Sequence, residues 1–451
     1  MLSGVIEGFY GKAWTPAERE TMLDWIESAG MNCFIYAPKD DVHVRARWRV
    51  PYDQAMCKGL VNLNTAARKR GITFFVAIAP CLDITYSDPA ELTALTARID
   101  QLLALGIRDF VLLFDDIPSA LPIKDVPHFK SFAAAQAHVA NAIHAHLSVR
   151  DGGQLLFCPT EYCERFADGD VATSEYLRTL GETLAPEIGV FWTGPEIVSE
   201  KITASHMKAV ADVLGRKPVI WDNFHVNDYD VRRIHLGPLG GRERGVLKHV
   251  AGYVINPNNE CAANFVPVAT TGQFLTDPHY TPESATEEAI AAWRCAFAPA
   301  FGPHRETLPA ADIALLVSLF YQPFACGPAI EEALARLRRM LGARWPDPMG
   351  KQWQGDLCAM RDLRDQIVMV FESLTEIGDR NLFHALHPYL WEAREEITHM
   401  VSYLEWLDEG PGPDDVFPGQ DRIYNFYRRG FSAAIQELLR RDSSGRYFHE
   451  L

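Results

Sequence analysis

Two adjacent aspartates, Asp115 and Asp116, directly follow the apolar run Phe110–Phe114. A short, continuous apolar run of this kind is typical of a buried parallel strand. Like charges that close repel each other, and partial burial disfavours the ionised form of both carboxyls. A pair in this place is useful where two carboxyl groups need different proton affinities. Enzymes that cleave a glycosidic bond use two such carboxyl groups. Taken alone, either aspartate could instead cap a helix or lie in a solvated turn.

The adjacency of the two aspartates limits how they can act. Neighbouring side chains on a strand point to opposite faces, so both can reach one pocket only if the strand bends or ends there. Ile117-Pro118 supplies an ending, because proline cannot extend a strand ladder and restricts the residue before it. Ordinary retaining glycosidases hold acid and nucleophile about 5–5.5 Å apart across the bond. An adjacent pair suits better a substrate-assisted reaction, in which the 2-acetamido group of the sugar is the nucleophile.

Polar, amide and aromatic residues follow most other apolar runs in the first part of the chain. If these runs form a barrel, their carboxyl ends meet at the active-site face. Aspartate, asparagine and lysine suit the hydroxyls of a sugar, and tryptophan or tyrosine suits the apolar faces of its ring. Each residue has an ordinary structural explanation, and only their coincidence at one end of a barrel indicates a sugar site. The segments are 7–10, 37–41, 159–162, 192–196, 221–230 and 256–260.

The elements that would position these residues alternate between apolar runs and amphipathic stretches. Thr15-Pro16-Ala17-Glu18, for example, combines a helix cap, a first-turn proline and a capping box. We predict an α/β fold, with a (β/α)8 TIM barrel over residues 1–282, close to the usual size of about 250 residues. A doubly wound open sheet is the alternative, but Gly8–Gly11 is not its glycine-rich phosphate turn. The predicted strands are Gly4–Tyr10, Cys33–Ala37, Thr73–Ala79, Phe110–Phe114, Leu155–Cys158, Val190–Trp192, Pro218–Trp221 and Gly252–Ile255.

After about residue 282 strand-like runs become scarce and long amphipathic stretches replace them. These predict an α-helical bundle domain over residues 283–451, a candidate dimerisation and substrate-groove element. The predicted helices are Glu283–Phe297, Ala329–Leu341, Asp356–Ile377, Leu390–Trp406 and Gln420–Leu439.

Composition excludes several classes of function. The formal net charge of -16 argues against a sequence-independent nucleic-acid binder and against docking on anionic membrane. No segment reaches the roughly 18 apolar residues of a membrane span, and the N-terminus lacks the features of a signal peptide. The 9 cysteines are odd in number and irregularly spaced, which suits reduced thiols. We therefore expect a cytoplasmic protein without nucleic-acid or membrane partners.

Seven segments, in chain order, resemble glycoside hydrolase family 84, and especially its O-GlcNAcases, which remove single β-linked N-acetylglucosamine (GlcNAc) from serine and threonine of proteins. The resemblance covers roughly residues 4 to 275. The helical part is similar in kind to the region that follows the barrel in these enzymes, but no motif there matches residue by residue. The segments are Gly4–Gly11, Tyr36–Asp41, Leu112–Ile117, Phe157–Cys163, Trp192–Pro195, Trp221–Asn223 with Asn227–Asp230, and Asn256–Asn258.

The resemblance implies a retaining exo-β-N-acetylglucosaminidase that works through an oxazoline, with no metal or cofactor. Asp115 would stay ionised and orient the acetamido N–H. Asp116 would carry the proton, act first as general acid and then as base. A homodimer through the helical domain is expected, as in animal relatives, and the partner would be a GlcNAc-bearing glycoprotein or glycoside. The implied substrate-binding residues are Gly8, Lys39, Tyr162, Trp221, Asn223, Asp228 and Asn256.

Three other functions stay open on the sequence. One is an endo-acting, hyaluronidase-like hexosaminidase, and a second is a non-catalytic glycan-binding barrel. The third is a metal-dependent barrel enzyme that uses Asp40 and Asp41 together with Asp115 and Asp116.

Overall fold

Eight parallel strands pair in chain order, and the eighth pairs with the first to close a barrel. This computed structural model describes residues 1–300, 307–342, 350–412, 414–417, 440–442 and 446–448. The predicted (β/α)8 barrel is confirmed, and the open-sheet alternative is wrong. The strands are β1 (Leu2–Glu7), β2 (Cys33–Tyr36), β3 (Thr73–Ile78), β4 (Asp109–Leu113), β5 (Leu155–Cys158), β6 (Gly189–Trp192), β7 (Val219–Asp222) and β8 (Gly252–Ile255).

Helices follow seven of the strands. The capping box predicted at the first helix is present, since Thr15 Oγ1 accepts from Glu18 N (3.3 Å) and Glu18 Oε2 accepts from Thr15 N (2.7 Å). Between β7 and β8 the described chain forms a long loop and a short 3-10 helix, Arg244–Lys248, in place of an α-helix. The helices are α1 (Pro16–Ser28), α2 (Gln54–Lys69), α3 (Pro89–Ala104), α4 (Phe132–Ser148), α5 (Glu175–Thr183), α6 (Ala204–Leu214) and α7 (Phe265–Thr276).

Beyond α7 the described elements are helical, apart from one short two-stranded sheet, β9 (Arg440–Arg441) with β10 (Tyr447–Phe448). No helix was predicted at α9, and α12 begins ten residues before the predicted start at Leu390. The predicted helix Gln420–Leu439 lies outside the described residues. The helices are α8 (Pro282–Trp293), α9 (Ala310–Leu319), α10 (Pro328–Gly342), α11 (Lys351–Thr375) and α12 (Arg380–Asp408).

The chain divides into two compact units. The first comprises Met1–Glu332 and Ile367–Trp391, so that the first part of α12 belongs with the barrel. The second comprises Ala333–Gln366 and Glu392–Leu451, with a core of its own. That residues 283–451 form one separate domain stays a prediction. The core of the second unit contains Ala333, Met340, Trp353, Leu357, Met360, Val401 and Leu404.

Two further features concern membrane-spanning helices and the state of the cysteines. Among the described helices, none combines the length and the apolar character needed to cross a membrane. The nine cysteines are all free thiols. The cytoplasmic location stays a prediction.

A buried ion pair holds the end of β7. Arg242 donates to both carboxylate oxygens of Asp222 (2.8 and 2.7 Å), and the hydroxyl of Tyr253 on β8 donates to the same carboxylate. Both charged side chains are 1% exposed. Burial alone would raise the pKa of Asp222, but the Arg242 guanidinium holds that pKa below its ordinary value. Because Arg242 also donates to the carbonyls of Ser199 (2.8 Å) and Glu200 (3.0 Å), the pair joins the loop after β6 to β7.

We expect Asp222→Ala to lower the free energy of unfolding by about 3–5 kcal/mol, because it leaves the Arg242 charge buried without its partner. Urea denaturation measures the change. The matched control is Asp212→Ala, which removes an exposed ion pair with Lys208 on α6 and is expected to cost at most about 0.5 kcal/mol. Equal losses in the two variants would contradict a structural role for the buried pair.

Candidate active site

A cavity of about 490 Å³ lies at the carboxyl ends of the barrel strands. Every site residue predicted from the sequence lines it except Lys39, whose ammonium group contacts one of the lining carboxylates. The loops after β1, β4, β5, β6, β7 and β8 therefore converge on one site. The predicted residues in its wall are Gly8, Asp115, Asp116, Tyr162, Trp221, Asn223, Asp228 and Asn256.

A left-handed turn brings the two aspartates into the same cavity. β4 ends at Leu113, and Phe114 N still donates to Cys158 O (2.9 Å) on the neighbouring strand. Asp116 then has a φ of 56°. This conformation is unfavourable for a non-glycine residue by roughly 1–2 kcal/mol, although aspartate tolerates it better than most. Consequently the pair does not alternate across a sheet, and Asp115 lies buried while Asp116 is exposed.

The two oxygens of Asp115 have different surroundings. Oδ2 forms an ion pair with Lys39 Nζ, and both side chains are largely buried. Oδ1 is buried as well, and no hydrogen-bond partner for it exists among the described residues. A buried carboxylate oxygen without a partner is costly in a folded protein. Asp115 is also one of the residues that line the cavity.

Asp116 accepts hydrogen bonds from two tyrosines. Tyr162 Oη donates to Oδ1 (2.8 Å), and Tyr10 Oη donates to Oδ2 (2.9 Å). Burial, and then the negative charge of Asp116, raise the pKa of both tyrosines well above the ordinary value. Both phenols therefore stay protonated donors at neutral pH. Arg45, from the loop after β2, donates to the Tyr10 hydroxyl (2.8 Å).

A chain of amides forms another part of the cavity wall. Trp221 Nε1 (2.9 Å) and Asn256 Nδ2 (3.0 Å) both donate to Asn223 Oδ1. Asn223 Nδ2 donates to Ile197 O (3.0 Å), and Asn256 Oδ1 accepts from Gly8 N (3.3 Å). These bonds fix the orientation of both asparagine side chains and connect β7 and β8 to the loop after β1.

Asp228 joins the loop after β7 to the loop after β1. Its Oδ2 accepts from Tyr10 N (2.7 Å). Burial raises the pKa of Asp228, and the hydrogen bond from Tyr10 N offsets part of that effect. Next to it, Asn227 Nδ2 donates to Glu260 Oε2 (2.8 Å), and Tyr389 Oη of α12 donates to Glu260 Oε1 (2.9 Å). A helix far along the sequence thus supports the loop that carries Asp228.

The structure places several residues at the site that the sequence analysis did not select. Tyr10 belongs to the polar segment 7–10 at the end of β1, so its position could have indicated a role. Arg45 lies in the loop after β2 and carries no sequence signal of a site residue. Besides Tyr10, the lining residues that were not predicted are Cys158, Thr193, Ile197, Val198, Val226 and Tyr229, whereas Arg45 does not line the cavity.

The four aspartates of the metal alternative are not gathered in the structure. Asp41 Oδ2 accepts from the hydroxyls of Tyr36 (2.9 Å) and Tyr52 (3.3 Å), and Asp40 accepts from a backbone N–H. Within the described ranges, no group of three or more His, Cys, Asp or Glu side chains is arranged to hold a metal ion.

A closed parallel barrel with a carboxylate pair in a cavity of amides and tyrosines is the architecture of a barrel glycoside hydrolase. Sequence comparison defines the family. The model of a family described as beta-N-acetylglucosaminidase matches residues 3–302. The chain therefore belongs to the beta-N-acetylglucosaminidase family of glycoside hydrolases, and the resemblance inferred from the motifs is confirmed.

Individual relatives agree with this family. The chain is 43% identical to Protein O-GlcNAcase of Mus musculus over 269 residues, which are 60% of this chain and 29% of that protein. The Rattus norvegicus Protein O-GlcNAcase matches to the same extent. The chain thus spans less than a third of the length of these relatives. Among solved structures, a mutant of the Thermobaculum terrenum O-GlcNAc hydrolase is 28% identical, with a TM-score of 0.75, and the match covers 90% of this chain and 83% of that one.

The close packing at Gly8 leads to a testable expectation. A Cβ added to Gly8 would lie 2.6 Å from Trp221 Cζ2, so Gly8→Ala must displace the tryptophan from the wall. We expect a loss of about 1–3 kcal/mol in the free energy of unfolding, together with a changed tryptophan fluorescence spectrum. In the control Gly59→Ala, on an exposed face of α2, the new Cβ meets nothing within 4 Å and is expected to stabilise the helix by about 0.5–1 kcal/mol. If Gly8→Ala and Gly59→Ala changed the free energy of unfolding by the same amount, the close packing at Gly8 would be contradicted.

Proposed function

We propose that this protein is a retaining exo-β-N-acetylglucosaminidase that removes terminal β-linked GlcNAc by substrate-assisted catalysis. One observation carries the proposal: the adjacent carboxylates have different partners. Asp115 is buried against Lys39 with Oδ1 left without a partner among the described residues. Asp116 is exposed in the cavity and held by two phenols. Two carboxyls in such unlike surroundings suit two different tasks.

In the first step, the acetamido carbonyl oxygen attacks the anomeric carbon while the bond from that carbon to the leaving oxygen breaks. Asp116 gives its proton to the leaving oxygen, which departs as a neutral alcohol. Oδ1 of Asp115 accepts the hydrogen bond of the acetamido N–H, which carries positive charge as the oxazoline ring closes. A fixed carboxylate at that place stabilises the developing charge without reorganising in the reaction.

In the second step, water attacks the anomeric carbon and the bond to the oxazoline oxygen breaks, which restores the acetamide. The carboxylate of Asp116 removes a proton from that water and is thereby ready for another cycle. Two displacements on opposite faces give net retention of configuration. The same side chain serves as acid and then as base, as microscopic reversibility requires for a group placed beside the leaving oxygen.

The remaining lining residues have roles that suit a single sugar. We assign the binding of ring hydroxyls to Asp228, Asn256 and the Gly8 backbone. Lys39 does not line the cavity, and we assign to it the compensation of the Asp115 charge. Asn223 supports the acetamide, and its two accepted hydrogen bonds keep its amide in one orientation. Trp221 forms one wall of the acetamido pocket, and Tyr162 binds near the acetamido group or the leaving oxygen.

GlcNAc-modified serine and threonine of proteins are the proposed natural substrates. Support comes from the mouse and rat relatives, whose names describe protein O-GlcNAcases, and from the O-GlcNAc hydrolase of Thermobaculum terrenum. The homodimer through the helical domain stays a prediction.

Two alanine variants test the division of labour between the aspartates. For Asp116→Ala, kcat/KM on an aryl N-acetylglucosaminide with a good leaving group is expected to fall less than about tenfold. On a GlcNAc-serine peptide, whose leaving oxygen needs a proton, a loss of about 10²–10⁴-fold is expected. For Asp115→Ala, both substrates are expected to lose about 10²–10³-fold, because charge stabilisation is needed whatever the leaving group. Release of the phenol and of free peptide measures the rates.

The control is Asp109→Asn, at the opposite end of the same strand β4, and it should leave both rates near those of the wild type. If the two alanine variants lose activity in parallel on both substrates, the assignment of roles is wrong. If the wild-type protein releases no 4-nitrophenol from its N-acetylglucosaminide, the proposed activity itself is wrong.

A further inference from the structure

We infer that Arg45 and Tyr10 are positioning residues for Asp116, and that they determine which of its two oxygens delivers the proton. This inference rests on the proposed function, because it concerns the general acid and base of that reaction. It is carried by the hydrogen bonds around the left-handed turn at Asp116.

Arg45 supports the turn from the backbone side. Its Nη2 donates to the carbonyl of Asp116 (3.3 Å) and, at longer range, to the carbonyl of Asp115 (3.5 Å). Arg45 is only 8% exposed, so water competes little for these bonds. A strained backbone conformation persists when its surroundings hold it in place. One guanidinium thus contacts both residues of the turn whose φ of 56° brings the carboxylates together.

The same guanidinium fixes the direction of the next hydrogen bond. Arginine has donors and no acceptor, so the Tyr10 hydroxyl must accept from Arg45 Nη1 (2.8 Å). The proton of that hydroxyl is then directed to Asp116 Oδ2 (2.9 Å). Oδ2 is therefore always occupied as an acceptor, in both protonation states of the aspartate.

The other oxygen of Asp116 is not constrained in this way. Its partner, Tyr162 Oη (2.8 Å), can donate to a carboxylate or, after rotation about its C–O bond, accept from a carboxylic acid. The geometry therefore assigns Oδ1 as the oxygen that carries the proton, gives it to the leaving oxygen and later receives it from water. Oδ2 is the oxygen by which Arg45 and Tyr10 hold the side chain still.

The test compares Tyr10→Phe, Arg45→Met and the double variant over a series of aryl N-acetylglucosaminides with leaving groups of increasing basicity. For Tyr10→Phe, we expect a loss in kcat/KM of about twofold for the best leaving group and about tenfold for the poorest, because only the latter need a well-placed acid. For Arg45→Met, we expect kcat/KM for the substrate with the poorest leaving group to fall about 10–100-fold.

The effects of the two substitutions should also be non-additive, because Arg45 acts in part through Tyr10. Arg47→Met, an exposed position two residues away on the same loop, is the control and should match the wild type. Tyr10→Phe removes a single oxygen from a partly exposed side chain, so the inference can be judged even if Arg45→Met does not fold.

The outcomes separate the inference from the function on which it rests. An active wild type, with variants that lose the same factor in kcat/KM on every leaving group, would overturn the positioning role alone. A wild type inactive on every glycoside would overturn the proposed function, and the positioning role with it.

Discussion

The site depends on keeping two neighbouring carboxylates in one cavity without giving them the same environment. The left-handed backbone at Asp116 separates them. It leaves Asp115 buried beside the Lys39 ammonium and places Asp116 at the open side between the hydroxyls of Tyr10 and Tyr162. Without the ammonium the cavity would hold a buried, uncompensated charge, which is strongly unfavourable. The partners come from the loops after β1, β2 and β5, so closure of the barrel is what assembles them.

The barrel also holds those loops in place. Glu7, the last residue of β1, is fully buried and accepts from Trp14 N (2.9 Å) and from Arg19 (2.7 and 2.8 Å). These bonds close the loop that carries Gly8 and Tyr10. The loop is held at its tip as well, since Tyr10 O accepts from the amide of Asn259 (2.9 Å). A catalytic side chain must be held within about 0.5 Å of its productive position, and support on both sides of the loop provides this.

Much of the barrel could be predicted because most of its buried strands are short, largely apolar runs. Leu155–Cys158 and Gly252–Ile255 have the bounds that the sequence predicts. The sequence predicts the second helix only over Asn62–Arg70, but α2 begins eight residues earlier, at Gln54. Asp53, whose carboxylate accepts from Met56 N (2.8 Å), caps it there. α9 was missed because its exposed positions are the alanines Ala310, Ala311 and Ala314. The helix is therefore apolar on nearly all sides, and the amphipathic period that marks a surface helix is absent.

At the site, the residue types that follow the strands could be predicted, but their connections could not. Nothing in the sequence indicates that Arg45, nine residues beyond β2, folds back to the carbonyls of the aspartate pair. The positive φ of Asp116 could not be predicted from the sequence either, because aspartate occurs in both extended and left-handed conformations. Such features arise from contacts between loops distant in sequence. Site residues that directly follow a strand can be predicted from that position. Residues that act by supporting them cannot.

The central claim is that the substrate supplies its own nucleophile, and varying that nucleophile tests it most directly. The measurement is kcat/KM for 4-nitrophenyl glycosides whose N-acetyl group carries zero, one, two or three fluorine atoms. Fluorine withdraws electrons from the carbonyl oxygen and weakens its attack on the anomeric carbon. The account predicts a rate that falls steadily with each added fluorine. A rate independent of fluorination, in substrates that still bind, would show that an enzyme carboxylate attacks instead and would contradict the roles assigned to Asp115 and Asp116.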